Sequence, residues 1–208
     1  MSTGVIDYGA GNLKSVETAL RALEAGFVVS SEPEVLSRCD RLIFPGVGDA
    51  SAAMQNMKRR GIDELIVAFA ERGAPVLGIC LGAQIVLERS QEGGADCLGL
   101  IPGEARAFAQ DAGFKVPHMG WNRVVPSKRE EVSTSHGLFA GIPEDASFYF
   151  VHSFFPAPSC EEHVIATTDY IHEFASALAK DSVMAVQFHP EKSGRFGLTL
   201  LKNFLSIS

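Results

Sequence analysis

The sequence lacks any run of about 18 consecutive apolar residues, so it predicts no membrane-spanning helix. It also lacks a basic segment followed by an apolar one at its start, and it reaches Asp7 too early for a secretory signal. These absences favour a cytoplasmic protein. A basic stripe is missing too, because the net charge is −7 and the densest basic run, residues 58–60, is typical of a helix end. Binding to nucleic acid or membrane is therefore not expected.

Cysteine is scarce, and its spacing excludes two common uses. The four cysteines are Cys39, Cys80, Cys97 and Cys160. They form no Cys-x-x-Cys pair, so a zinc cluster is not predicted. A disulfide framework is not expected in a chain with this much apolar core and no export signal. Each cysteine must be judged alone, and we interpret Cys39, Cys97 and Cys160 as buried structural thiols.

Strand and helix signals, in contrast, alternate regularly through the N-terminal part of the chain. Strands are expected at residues 3–7, 27–30, 41–44 and 75–79, and helices at 12–26, 50–60, 63–72 and 81–89, with Asn12 capping the first. Closely spaced strands follow at 104–108, 122–125, 147–152, 164–169, 174–180 and 183–187, and a helix capped by Ser193 closes the chain. This pattern predicts one α/β domain over residues 1–208, with a mixed, mostly parallel central sheet covered by helices on both faces.

The segment at residues 78–84 places a cysteine between a strand and a helix. Cys80 lies between Gly78 and Gly82, which is the spacing of a nucleophile elbow with cysteine in the serine position. The turn is strained, and only glycine has no Cβ to clash with the backbone that comes close there. The sulfur then lies at a helix N-terminus, which favours a thiolate, and the Leu81 N–H points to where an oxyanion would form.

A candidate base follows the last strand, in residues 186–191. Pro190 disfavours the helical region for His189, so the segment is expected to be extended, with His189 and Glu191 on the same side. A carboxylate that binds one ring nitrogen leaves the other free to take a thiol proton from Cys80. We interpret the remaining histidines as core, surface or substrate-shell residues: His118, His136, His152, His163 and His172.

Three motifs together resemble the signatures of class I, triad-type glutamine amidotransferases, in the family's order. They are PGVG at residues 45–48, GICLGAQ at 78–84 and QFHPEKS at 187–193. Residues 6–13, 88–93, 117–122 and 166–170 extend the resemblance over essentially the whole chain. PHMGWN at residues 117–122 is the most specific of these segments. It indicates the branch of the family that delivers ammonia to a (β/α)8-barrel cyclase subunit in histidine biosynthesis, as a heterodimer.

The resemblance implies a role for particular residues. Cys80, His189 and Glu191 would form the triad, and Val47 and Leu81 would supply the oxyanion N–H groups. Glutamine would be bound by Gly48, Gln84, Glu92, Ser153 and Phe154, with Glu92 near the α-ammonium. Asn12, Trp121 and Lys192 would lie at the face shared with the cyclase subunit. The family reaction needs no metal and no organic cofactor.

Several alternatives stay open at the level of sequence. The chain could serve another amidotransferase, could be a different cysteine hydrolase on the same elbow, or could be a catalytically silent binding subunit. Trp121, the only tryptophan, could be a core residue rather than an interface anchor, because tryptophan is highly buried on average. Whether the loop at residues 45–48 is preformed for an oxyanion also stays open.

Overall fold

A computed structural model describes residues 2–9, 13–110, 113–127 and 137–207 of the chain. The helices are α1 (Leu13–Ala22), α2 (Pro33–Leu36), α3 (Ala50–Arg60), α4 (Ile62–Glu71), α5 (Leu81–Ile85) and α6 (Gly194–Ser206). The first seven strands are β1 (Thr3–Ile6), β2 (Phe27–Ser30), β3 (Arg41–Gly46), β4 (Val76–Cys80), β5 (Arg89–Ser90), β6 (Ala95–Asp96) and β7 (Gly103–Ala107). They are followed by β8 (His118–Arg123), β9 (Val125–Pro126), β10 (Ser147–His152), β11 (Phe154–Pro158), β12 (Val164–Asp169), β13 (Glu173–Lys180) and β14 (Val183–Val186). Asn12, the expected cap of α1, lies outside the described residues.

An eight-stranded mixed sheet organises the molecule, in the order β2-β1-β3-β4-β14-β13-β12-β9. The first five strands run parallel and the last three are antiparallel to their neighbours. Two smaller sheets accompany it, one pairing β8 with β10 and one ordered β11-β7-β5-β6. The predicted mixed α/β sheet is therefore confirmed. The carboxyl ends of β3, β4 and β14 meet at one edge, which is where sites gather in such sheets.

The hydrophobic core is divided between the two faces of the central sheet. Alternate side chains of β3 enter opposite faces, so Ile43 packs with the cluster that includes α1 and α6. Leu42 and Phe44 pack with the cluster that includes α3, α4 and α5. Strands buried on both faces explain the continuous apolar runs in the sequence. No helix in the described ranges is long and apolar enough to cross a membrane.

The predicted helix at residues 81–89 is wrong in length, because α5 ends at Ile85. Residues 97–101 pack against the end of α5, and their N–H groups bind the carbonyls that would accept hydrogen bonds in a longer helix. Leu98 N–H donates to Ile85 O at 2.9 Å, and the Leu100 and Ile101 N–H groups donate to Val86 O at 2.9 and 3.0 Å. A distant backbone segment therefore overrides a helix signal that is purely local.

Two further differences concern strands in the middle of the chain. The strand expected at residues 122–125 begins earlier, at His118, and breaks before Val125. Strand β11 was not predicted, and it contains two prolines, which are uncommon in strands. It forms nevertheless because β11 is the edge strand of its sheet, where a missing N–H costs no ladder bond.

Candidate active site

The turn around Cys80 has the strained geometry that the sequence predicts. Cys80 ends β4 with φ 58° and ψ −106°, a conformation that L side chains rarely adopt, and α5 begins at the next residue. A Cβ on Gly78 would lie 2.7 Å from the Gly82 carbonyl oxygen, and one on Gly82 would lie 2.5 Å from the Phe44 carbonyl oxygen. Both glycines are therefore required by close backbone, and the predicted strained turn between strand and helix is confirmed.

His189 and Glu191 meet as predicted, although by a different local geometry. The His189 Nδ1 lies 2.7 Å from Glu191 Oε1, and the two side chains are 3% and 2% exposed. His189 is extended, but Pro190–Lys192 forms a single 3-10 turn, so the expected extended segment is wrong after His189. Pro190 starts this turn because its fixed φ suits the first helical position.

The backbone of the base segment is fixed by strand β10. His189 N–H donates to the Tyr149 carbonyl at 2.8 Å. The Ser193 hydroxyl donates to the His189 carbonyl at 2.6 Å and accepts from the Tyr149 N–H at 3.0 Å. Ser193 precedes α6 as predicted, but its side chain makes no cap bond because it is used in this bridge. The predicted capping role of Ser193 is therefore wrong.

The electrostatics of the site favour a charged imidazole. Burial disfavours the imidazolium of His189, but the Cys80 sulfur and the Glu191 carboxylate outweigh that effect and raise the pKa of His189 to about 9. Glu191 binds Nδ1 of His189, while Nε2 of the same ring makes no hydrogen bond in the described part of the chain. Nε2 is thus the atom available to the Cys80 thiol, and the three groups can form a thiolate–imidazolium pair.

A cavity of about 330 Å³ opens beside the cysteine. Cys80 lines it, together with the residues that the sequence assigned to the oxyanion and to glutamine, which are Val47, Gly48, Leu81, Gln84, Glu92, Ser153 and Phe154. Glu92 supplies a carboxylate that accepts the Ala50 N–H at 2.9 Å. Burial raises the pKa of Glu92, the Ala50 N–H lowers it and nearby Asp49 raises it.

The side-chain amide of Gln84 is fixed by hydrogen bonds within the protein. One of its partners, Gln187, was not predicted from the sequence. Gln84 Nε2 donates to the Phe154 carbonyl and to Gln187 Oε1, both at 3.0 Å. The Gln187 side chain is fully buried, and its Nε2 lies 3.7 Å from the Cys80 sulfur. Gln187 opens the QFHPEKS motif, and its place directly before the base segment is the signal that could have identified it.

The Leu81 N–H is not open to a substrate oxygen in this structure. Strands β3 and β4 are parallel, and their register ends on the pair Gly46–Cys80. The ladder begins with the Leu42 N–H donating to the Pro75 carbonyl. Because donors and acceptors alternate along a parallel ladder, the Gly46 carbonyl faces the Leu81 N–H at its end. An oxyanion hole with two donors therefore requires the peptide between residues 46 and 47 to turn.

A buried pair of histidines lies beside the cavity, which His152 lines, and no sequence signal identified the pair. His152 Nδ1 donates to the Phe154 carbonyl at 2.7 Å, and His118 Nδ1 donates to His152 Nε2 at 2.9 Å. The Asn122 amide approaches His118 Nε2 at 3.2 Å. Burial lowers the pKa of His118 to about 4 and that of His152 to about 3, so both rings are neutral. The pair forms across strands β8 and β10, which is why spacing along the chain did not reveal it.

An exposed apolar face lies on the other side of the same ribbon. Trp121 and Met119 of β8 are 60% and 62% exposed, so the interpretation of Trp121 as a core residue is wrong. The Tyr149 ring of β10 lies edge-on to Trp121 at 6.2 Å between ring centroids, and Lys192 Nζ lies 5.9 Å from the Tyr149 centroid. We call Met119, Trp121, Tyr149 and Lys192 the ribbon face.

The other cysteines differ from one another. Cys39 is buried as expected, and Cys97 is half-buried, with burial raising the pKa of its thiol to about 11. Cys160 is exposed, so its interpretation as a buried thiol is wrong. Its sulfur lies within 4.8 Å of ligand atoms of Glu162 and His163, on an exposed turn. Reactions with thiol reagents must therefore be mapped to individual residues.

This fold, with a cysteine elbow and a buried His–Glu pair at its carboxyl edge, defines a triad amidotransferase domain. The chain belongs to the glutamine amidotransferase class-I family, which it matches over residues 4–207. It is 47% identical to imidazole glycerol phosphate synthase subunit HisH of Nitrosococcus oceani, over 99% of this chain and 97% of that protein. It is 44% identical to the subunit of the same name from Bacteroides thetaiotaomicron, over the full length of both.

Solved structures agree on the fold. A crystal structure of a glutamine amidotransferase aligns over 98% of this chain with a TM-score of 0.70 and 20% identity. The structure of PurLQS from Thermotoga maritima aligns over 98% of this chain with a TM-score of 0.70 and 18% identity. At these identities the likeness concerns the fold alone.

Proposed function

We propose that this protein is the glutaminase subunit of imidazole glycerol phosphate synthase, and that residues 1–208 form one catalytic domain. It hydrolyses L-glutamine to glutamate and ammonia and passes the ammonia to a cyclase subunit in histidine biosynthesis, in the cytoplasm. The observation that carries the proposal is the strained turn at Cys80 together with the buried pair His189–Glu191. In that pair, His189 Nδ1 lies 2.7 Å from Glu191 Oε1. The full-length relatives named above support the particular synthase.

The first half of the reaction forms a thioester. His189 Nε2 takes the Cys80 thiol proton, and the sulfur attacks the side-chain amide carbon of glutamine. The carbonyl oxygen becomes an oxyanion as the C–S bond forms. The imidazolium then returns its proton to the amide nitrogen, the C–N bond breaks and ammonia leaves. Glu191 keeps Nδ1 protonated and stabilises the imidazolium throughout.

The second half regenerates the thiol. His189 takes a proton from a water molecule that attacks the thioester carbon, and a second oxyanion forms. Its collapse breaks the C–S bond and releases glutamate, while the Cys80 sulfur recovers its proton from His189. The Glu92 carboxylate on the cavity wall suits the α-ammonium of glutamine, because its charge is opposite.

Both oxyanions need backbone N–H donors. At the end of the β3–β4 ladder the Gly46 carbonyl faces the Leu81 N–H, so this donor becomes available only if the Gly46–Val47 peptide turns. Turning the peptide between Gly46 and Val47 would release the Leu81 N–H and aim the Val47 N–H into the cavity. Gly48 has φ +97°, so the residue after Val47 is already in a conformation that suits a sharp turn. One such donor is typically worth about 10²–10³-fold in rate. Low turnover of the isolated subunit follows.

The ribbon face is the proposed site of the (β/α)8-barrel cyclase subunit. Exposed aromatic residues are enriched in binding hot spots, and Trp121 and Met119 expose most of their surface. Tyr149 belongs to this face, while Val151, two residues further along β10, lines the catalytic cavity. A partner docked on the ribbon face thus lies about 7 Å along the strand from the cavity. Ammonia delivered over so short a path avoids bulk water, where protonation would make it inert.

The test is glutamine turnover, assayed as glutamate and as free ammonia, for the wild type and Cys80→Ala. Both proteins are assayed alone and with the cyclase subunit and its ligand. We expect wild-type turnover to rise on adding the partner, and the Cys80→Ala protein to lose at least about 10⁴-fold. Cys39→Ala, Cys97→Ala and Cys160→Ala serve as matched controls that keep activity. Substantial turnover by Cys80→Ala would refute the proposal, and turnover with no response to the cyclase subunit would refute the partner.

A further inference from the structure

The Tyr8 hydroxyl is a buried polar group without a partner among the residues that the structure describes. Tyr8 follows β1, its side chain is fully buried, and its Oη makes no hydrogen bond within the described part of the chain. Burying a hydroxyl without a partner is unfavourable, and most buried polar atoms in native proteins are paired. The mechanism above gives this hydroxyl no role, so its position calls for an explanation.

The hydroxyl lies directly beside the peptide that must turn. A Cβ built on Gly46 would collide with Tyr8 Oη, and it would lie 2.8 Å from Leu81 Cβ and 3.3 Å from the Gly82 nitrogen. Tyr8 therefore reaches the space between Gly46 and the start of α5, behind the nucleophile turn. Burial raises the pKa of Tyr8, and the charge of Cys80 raises it further, so the hydroxyl stays protonated and can donate.

Turning the peptide changes which polar group is left unpaired. In this structure the Gly46 carbonyl faces the Leu81 N–H, and Tyr8 is the group without a partner. After the turn the Gly46 carbonyl loses that N–H, and the buried Tyr8 hydroxyl is a donor that lies beside the Gly46 residue. A buried carbonyl without a donor would oppose the turn, whereas a hydroxyl already in place would offset the loss.

We propose that Tyr8 Oη donates a hydrogen bond to the Gly46 carbonyl in the turned state and so positions the Val47 N–H for the oxyanion. This inference rests on the proposed glutaminase function. Tyr8 is a positioning residue in this account, because it acts through the Gly46–Val47 peptide and touches no reacting atom. It stabilises the active arrangement and leaves the resting one with an unpaired group.

The test is Tyr8→Phe, which removes one oxygen atom and keeps the ring. With the cyclase subunit and its ligand present, we expect kcat for glutamine to fall about three- to ten-fold, from the loss of one hydrogen bond, with KM unchanged. The melting temperature should stay equal or rise, because the hydroxyl is unpaired at rest. Cys80 alkylation, mapped by mass spectrometry, should keep its wild-type rate. Replacing Tyr8 by 4-aminophenylalanine, which restores a donor, should recover kcat.

The matched control is Tyr170→Phe, which removes a hydroxyl that donates to the Lys115 carbonyl at 2.6 Å. We expect this control to keep the wild-type kcat. A wild-type kcat in Tyr8→Phe would overturn the inference, as would a joint fall of kcat, alkylation rate and melting temperature without rescue, which indicates a structural role. A wild type with no glutaminase activity would instead refute the proposed function, so the two failures are distinguishable.

Discussion

The proposed triad residues are already arranged for catalysis in this structure, whereas the proposed oxyanion loop is not. Cys80, His189 and Glu191 are held by close backbone and short hydrogen bonds, and their contacts raise the pKa of His189 to about 9. In the loop, the Gly46 carbonyl faces the N–H that the oxyanion needs, and the neighbouring Tyr8 hydroxyl has no partner in the described ranges of the chain. Under the proposed function, the difference teaches that forming the nucleophile and stabilising the oxyanion are separate tasks. Only the second task waits for a change of structure.

The largest effect on kcat is expected from a change in the proposed triad. Glu191→Gln replaces the carboxylate that accepts His189 Nδ1–H, so the imidazole loses the group that orients it and stabilises its charge. We expect kcat to fall about 10³–10⁴-fold with glutamine binding largely intact. Paired kinetics and calorimetric binding measure both quantities. Unchanged turnover would remove Glu191 from the triad.

A smaller effect is expected in the loop. Val47→Pro removes the N–H that would turn towards the oxyanion, so partner-stimulated turnover should fall about 10²–10³-fold. Val47→Ala keeps the N–H and is the matched control. Alkylation of Cys80 should be the same in both variants, because forming the thiolate does not use the loop. A Val47→Pro protein that responds fully to the partner would show that the second donor comes from elsewhere.

The raised pKa of His189 should also affect the stability of the protein. The pKa of folded His189 is about 9, above the ordinary value of 6.5, so the folded protein holds this proton more tightly than the unfolded chain. That contribution is fully present below pH 6.5 and is lost as the pH rises through about 9. It is on the order of 3 kcal/mol in the free energy of unfolding. Urea unfolding at both ends of this range measures it.

Cys80→Ala is the control for the pH experiment, since it removes the strongest of the groups that raise the His189 pKa. Its loss of stability between pH 6.5 and 9 should be clearly smaller than in the wild type. Equal losses in the two proteins would mean that the two side chains do not interact, and the prepared state of the triad would be contradicted.

The smallest effect concerns the ribbon face, which lies outside the reacting groups. Trp121→Ala should weaken binding of the cyclase subunit about ten- to thirty-fold, as truncation of an exposed aromatic anchor typically does. Phe114→Ala, an exposed aromatic away from the ribbon face, is the matched control. Titration calorimetry gives both affinities. Wild-type affinity in Trp121→Ala would place the partner on another surface.

Local patterns in the sequence predicted the parts of the molecule that local physics determines. The glycine at position 78 is dictated by backbone only a few residues away, and the strand at residues 147–152 follows from its run of aromatic and β-branched residues. The end of α5 and the pairing of His118 with His152 depend on segments that return from far along the chain. The blocked Leu81 N–H depends on strand register, and no composition or spacing rule reports register in a parallel ladder.

The most direct test compares two rates on one protein, with and without the cyclase subunit and its ligand. One is the alkylation of Cys80 by iodoacetamide, resolved from the exposed Cys160 by peptide mass spectrometry. The other is glutamine turnover. We expect the alkylation rate to stay constant while turnover rises by about 10²-fold or more, because only the oxyanion donors change. Alkylation and turnover that rise together would contradict the account, since the triad itself would then be what the partner assembles.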